Sequence, residues 1–177
     1  MLIRNIACKS PEIMVPLFKA LVRPILEYAN VVWSPYKKSN IIKLEKVQQQ
    51  YTKRINGMFK LSYEERLFRL KLPSLEYRRL RGDFIETFKI LNNIYDPLTT
   101  CSLLTPDLNQ RTRSNGNKLK KFSTKRKPYG NFFTNRTVNR WNRLPIQFVQ
   151  AESINSFKNK LDMHFYNVIY TTNIESH

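Results

Sequence analysis

Eleven lysines and arginines fall between Leu108 and Ala151, and no aspartate or glutamate falls among them. Cations with no acids to neutralise them are suited to phosphate, and aromatics set among them can stack on bases or sugars. Lys118, Lys120, Lys121, Lys125, Arg126 and Lys127 are interleaved with Phe122 and Tyr129. Arg136, Arg140 and Arg143 follow at four- and three-residue steps, the spacing of one helical face. These cations are the candidate phosphate-binding residues. The plainer alternative is a solvated charged loop beside a core of Phe132, Phe133 and Trp141. The core role is preferred for those aromatics, and phosphate contact for the cations.

Other chemistries find little support. Asp83, Asp96, Asp107 and Asp162 are the only aspartates. None adjoins another, and none sits in a strand–turn–strand setting that could hold two metal ions. Glu64 and Glu65 belong to "SYEE", a capping box in which serine and glutamate satisfy each other's backbone donors. His164 is a lone imidazole on an amphipathic stretch, read as a surface or edge residue. Cys8 and Cys101 make no zinc spacing with His164 and His177 and are read as ordinary thiols. Four glycines leave no phosphate-cradling loop.

The whole chain shares the bias of its basic stretch. Thirty-one Lys and Arg against 13 Asp and Glu give a formal charge of +18 over 177 residues. Such an excess opposes compaction unless a polyanion neutralises it, which makes nucleic acid the first candidate partner and a membrane surface the second. No apolar run reaches the roughly 20 residues that span a bilayer. Arg4 and Lys9 interrupt any signal-peptide core at the N-terminus, so the expected location is nuclear or cytoplasmic.

Helices must position these residues. Ser10 and Pro11 open the first, with Met14 and Phe18, and Ile13, Leu17 and Leu21, at helical spacing. Pro24 cannot donate to the carbonyl of Ala20, which predicts a kink or restart. A second helix after Ser39 carries Ile41, Leu44, Val47, Tyr51 and Ile55, with Gly57 near its end. A short third follows Ser62. A fourth begins near Ser74, with Leu75, Leu80, Phe84, Phe88 and Leu91 as its apolar face. "KLKKFSTKRK" reads as an extended strand or hairpin arm, "NFFTNRTVNRWNRLP" as a helix closed by Pro145, and a last helix starts at Ser153. Between the first two helices, "RPILEYANVVWSPY" reads as a packed corner with Tyr28 and Trp33 buried. Replacing a buried Trp33 by alanine would cost about 3–5 kcal/mol.

Several long blocks resemble one family in its order: "LFKALVRPILEYANVVWSPY", "KLEKVQQQYTKRI", "LSYEERLFRLKLPSLEYRRLRGDFIETFKILN" and "NFFTNRTVNRWNRLP…SINSFKNKLD". They are similar to the C-terminal part of LINE-type (non-LTR) retrotransposon polyproteins, closest to jockey-like and chicken-repeat-like elements. The likeness covers roughly Leu2 to Phe165. It implies the thumb and post-polymerase region that follows a reverse transcriptase palm. The family's endonuclease and its [FY]-A-D-D metal box are not in this sequence, so it implies no polymerase activity for this chain alone. Magnesium would belong to the palm, and no cofactor to this chain. Gln49 and Gln50 stand where the family often has basic residues, which weakens phosphate tracking by the second helix. Lys71 and Ser114 each replace a common glycine, which puts the local turns in doubt. Met1 falls where the family sequence runs on, suggesting a gene-model boundary or a truncated element.

The expectation is therefore a mainly α-helical fold. A thumb-like bundle over residues 1–95 leads to a basic, partly extended arm over 96–130 and a C-terminal helical segment over 131–177. The expected function is backbone-directed binding of RNA–DNA or DNA duplex. The rival is a relic or docking module that only packs against a missing palm domain, and no membrane partner is expected.

Overall fold

The computed structural model describes residues 6–100, 102–107, 118–123 and 127–171, with the side chains of Thr99, Lys127 and Pro128 outside the description. The fold is mainly α-helical. The helices are α1 (Pro11–Leu17), α2 (Arg23–Glu27), α3 (Asn30–Trp33), α4 (Lys38–Lys53), α5 (Tyr63–Leu70), α6 (Leu75–Leu91), α7 (Pro97–Thr100), α8 (Lys127–Gly130), α9 (Phe133–Trp141), α10 (Ile146–Val149) and α11 (Ile154–His164). Among the described residues the β component is one isolated antiparallel bridge, Pro106 to Leu119. No described helix is long and apolar enough to cross a membrane.

The chain forms two compact units. The first comprises Met1–Asn30, Pro35–Arg79 and Asn167–His177; the second comprises Val31–Ser34 and Leu80–Tyr166. The division falls within α6, between Arg79 and Leu80, whereas the sequence suggested a boundary near residue 95.

In the first unit, Ser10 precedes α1 with extended backbone and Pro11 takes the first helical position. The break foreseen at Pro24 takes the form of a π-helical turn over Phe18–Val22, directly before α2. Pro24 offers no N–H, and the Arg23 N–H reaches back five residues to the Phe18 carbonyl. Met14 and Phe18 are fully buried against Tyr51, Ile55, Met58, Leu67, Leu70 and Leu72. The Tyr51 hydroxyl donates to the Met14 carbonyl at 2.9 Å, and its ring lies 4.9 Å from that of Phe18. Arg78 grips Glu27 with both arms of its guanidinium.

The expected burial of Tyr28 and Trp33 is not what the structure has. Tyr28 is 79% exposed and Trp33 41%. Composition showed that the segment was apolar but not which way its side chains point. With two-fifths of Trp33 in water, its truncation should cost well under the figure for a buried tryptophan.

A buried carboxylate organises the rest of the first unit. Glu45 on α4 is 4% exposed. Its Oε1 accepts from the Tyr63 hydroxyl at 2.6 Å and from the Leu75 N–H, at the start of α6, at 3.1 Å. The start of α6 is a centre of partial positive charge, and Arg79 adds a whole one. One turn along α4, Gln48 donates to the Pro73 carbonyl at 3.0 Å. Glu45 Oε2 and Gln48 Oε1 are buried with no hydrogen-bond partner among the described residues. Burial raises the Glu45 carboxyl above the usual glutamate range, against the pull of Tyr63, Leu75 and Arg79. Burial, and then the Glu45 charge, push the Tyr63 phenol upward, so it remains a donor.

The capping box at Ser62 forms in both directions: Glu65 N–H to Ser62 Oγ at 3.3 Å, and Ser62 N–H to Glu65 Oε2 at 2.8 Å. At the other end of α5, Lys71 takes the left-handed conformation, φ 49°. Its N–H bonds to Phe68 and that of Leu72 to Leu67, the paired ending that normally uses glycine. The lysine at that position thus folds as a glycine would, at a steric cost. The turn at Lys71 therefore forms without a glycine, and Ser114, the other position in question, lies outside the described residues.

In the second unit, Phe84 and Phe88 of α6 stack on Phe165 and Phe157, at 5.8 and 4.4 Å between ring centres. Trp141, Phe157 and Leu161 are almost wholly buried. Arg81 binds both oxygens of Asp162 on α11, at 2.6 and 2.8 Å. Ser153 caps α11 by accepting from the Ser156 N–H at 3.1 Å. His164 is exposed and packs its ring edge-on to Phe148 and Phe165.

Two outcomes test these assignments by urea unfolding. Lys71→Gly should raise stability by about 0.5–1 kcal/mol, because glycine occupies left-handed backbone without the Cβ clash. Glu45→Ala should cost roughly 1.5–3 kcal/mol through the stranded donors of Tyr63 and Leu75, whereas Glu45→Gln, which keeps the acceptor, should cost far less. The proton on Glu45 is held more tightly folded than unfolded, so its contribution is full at acid pH. It is lost as pH rises through the raised value. Glu45→Gln should flatten that part of the stability–pH curve, and an unchanged curve would exclude Glu45 as its source.

Candidate nucleic-acid interface

The basic arm is not free. Asn135 and Asn142, seven residues apart and therefore about two turns along α9 and its cap, hold its backbone. The Asn142 side chain accepts from the Leu119 N–H and donates to the Leu119 carbonyl, both at 2.9 Å. Asn135 accepts from the Phe122 N–H at 3.1 Å and donates to the Tyr129 carbonyl at 3.3 Å. On its other side the arm pairs with residues 105–107: Asp107 N–H to the Lys118 carbonyl and Lys120 N–H to the Thr105 carbonyl, both 2.8 Å. Leu119, 2% exposed, anchors the segment to the core. The expected strand or hairpin arm is thus a short extended run with a single bridge.

This arrangement sorts the candidate cations. Lys120 and Lys121 are exposed, as is Phe122 at 43%. Arg143, next to the clamping Asn142, is exposed too. The structure therefore brings Lys120 and Arg143 to the same end of α9. Lys118 is half-buried and engaged by other groups. Arg140 is likewise half-buried and engaged. Lys125 and Arg126 lie outside the described residues, as does the side chain of Lys127.

Arg136 has a different role from the one its spacing suggested. Its guanidinium binds both oxygens of Asp83 at 2.8 and 2.9 Å, and also the carbonyls of Val31 at 2.8 Å and Asn131 at 3.3 Å. The pair is largely sequestered, with side-chain exposures of 12% and 6%. Helical spacing cannot register an acid 53 residues upstream. Arg143 also falls beyond the end of α9, so the three arginines do not form one exposed face.

Asn135 and Asn142 were not singled out from sequence, where asparagine between cations reads as a polar filler. Their seven-residue spacing beside an extended basic run was the available signal. Behind the arm lies a cavity of about 130 Å³ lined by Leu91, Pro106, Lys118, Leu119 and Trp141 among others. That is well below the roughly 300 Å³ at which ligand pockets begin.

Arg136→Leu should destabilise the fold by about 3–5 kcal/mol, because it leaves the Asp83 charge buried and uncompensated. Adding Asp83→Leu should recover much of that loss in urea unfolding. A single variant as stable as the parent would remove Arg136 from the structural pair.

Compared with protein-family models, with curated protein sequences and with solved structures, the chain has no match in any of the three.

Proposed function

We propose that the chain binds nucleic acid through its phosphate backbone, as the thumb and post-polymerase segment of a non-LTR retrotransposon reverse transcriptase. The resemblance of its sequence blocks to that region supports the family reading. The observation that carries the binding reading is the clamped arm, which presents exposed Lys120 and Lys121, Lys120 at the same end of α9 as exposed Arg143, in a stretch that contains no acid. A backbone fixed by two asparagines holds these cations in register before any partner arrives, which reduces the ordering cost of association. Phosphate contacts position a protein on nucleic acid without reading its sequence, and a thumb needs no more than that.

A second reading, a docking module for a polymerase palm, is favoured by one observation. Leu21 in the π-helical turn, Ile25 on α2 and Tyr28 just past its end are 45%, 75% and 79% exposed.

Binding of a labelled RNA–DNA hybrid, followed by fluorescence anisotropy across a salt series, tests the first reading. The affinity should fall steeply with salt. Replacing Lys120, Lys121 and Arg143 by glutamine should flatten the slope by about 0.7–0.9 per lost contact. A slope unchanged in that variant would remove the arm from the interface.

A further inference from the structure

The face of α4 that points to water carries a second basic surface. The buried side of this helix is formed by Glu45, Gln48, Tyr51 and Thr52. At 100° per residue the opposite side is centred on Lys43, Lys46, Gln50 and Lys53, all exposed. Glu45 is the only acid on α4, and it points inward. Among the described residues none of the three lysines enters an ion pair. Sequence had set this helix aside because Gln49 and Gln50 follow "LEKVQ". Gln50 lies on the lysine face, and Gln49, half-buried, lies at its edge, with its backbone carbonyl accepting from Arg66 at 2.9 Å.

An aromatic ring completes the surface. Phe59 is 68% exposed, and the Lys53 ammonium lies 4.9 Å from its ring centre. The row of cations thus ends, at Lys53, against an exposed ring. This is the arrangement that single-stranded nucleic acid uses: cations along the phosphates and a ring on which an unpaired base stacks. Lys43 to Lys53 spans roughly 15 Å of helix, a few nucleotides of extended strand.

We infer that the exposed face of α4, with Lys43, Lys46, Lys53 and Phe59, is a binding surface for single-stranded nucleic acid. This inference rests on the nucleic-acid reading above and adds to it a separate site and a strand preference. A duplex keeps its bases stacked internally and offers Phe59 nothing, so the ring should matter for single strands alone.

The test uses the full chain with a labelled oligothymidylate of roughly a dozen nucleotides and a duplex of equal length, read by anisotropy at several salt concentrations. The variant K43Q/K46Q/K53Q should retain its melting temperature, because all three side chains are exposed. Its salt slope on the single strand should fall by about 2. Phe59→Ala should weaken single-strand binding roughly fivefold or more and leave duplex binding unchanged. Wild-type binding that persists undiminished in both variants would overturn this inference alone, since the arm variant would still respond. An equal effect of Phe59→Ala on strand and duplex would overturn the stacking role. A wild-type chain that binds neither probe would overturn both readings.

Discussion

A single carboxylate, buried on α4, is the point on which the first unit turns. Glu45 meets the phenol of α5 and the first amide of α6 with one oxygen, and Arg79 supplies the opposing charge. Three helices therefore converge on an acceptor that has been taken out of water. Burying a charge is unfavourable unless donors surround it, and here the donors come from the elements whose placement is at stake. Misplacing any one of them leaves a stranded polar group. The geometry is thus specified by the cost of the alternatives as much as by the apolar contacts of Met14, Phe18 and Leu67. The inward turn of Glu45 also leaves the outer face of α4 to lysines.

The second unit solves the same problem by pairing. Asp83 and Asp162 are each met by both arms of an arginine, and the aromatic rings of α6 and α11 stack between. Two of the four aspartates are thereby tied to arginines, Asp83 in a pair nearly closed to water and Asp162 with its side chain 41% exposed. Each pair takes up one acid and one base together, so the excess of +18 is carried by the remaining cations.

Local signals were legible in the sequence, and non-local ones were not. Pro11, the Ser62–Glu65 box and Ser153 each act through neighbours within four residues, so these helix starts could be read directly, although Ser10 makes no side-chain capping bond to α1. Pro24 likewise announced the π-helical turn, though not its type. The mainly helical fold followed from these signals and from apolar spacing. Arg136 was misjudged because its partner is 53 residues distant, and helical spacing is silent about such pairs. Tyr28 and Trp33 were misjudged because apolar composition carries no direction. The asparagine clamp was missed because its targets are backbone groups, which every residue possesses. The arrangement of Lys43, Lys46 and Lys53 was present in the sequence, but became visible only once the buried side of α4 was known.

The clamp has a consequence for how this arm could vary. Asn142 bonds the N–H and carbonyl of Leu119, and Asn135 bonds the N–H of Phe122. Neither bond depends on which side chains Lys118, Lys120 and Lys121 carry. Charge along the arm can therefore be gained or lost one residue at a time while the alignment stays fixed, provided the two asparagines and Leu119 persist. The alignment of the arm and its charge are thus set by different residues. A lineage could retune the charge of the surface without rebuilding the scaffold that presents it.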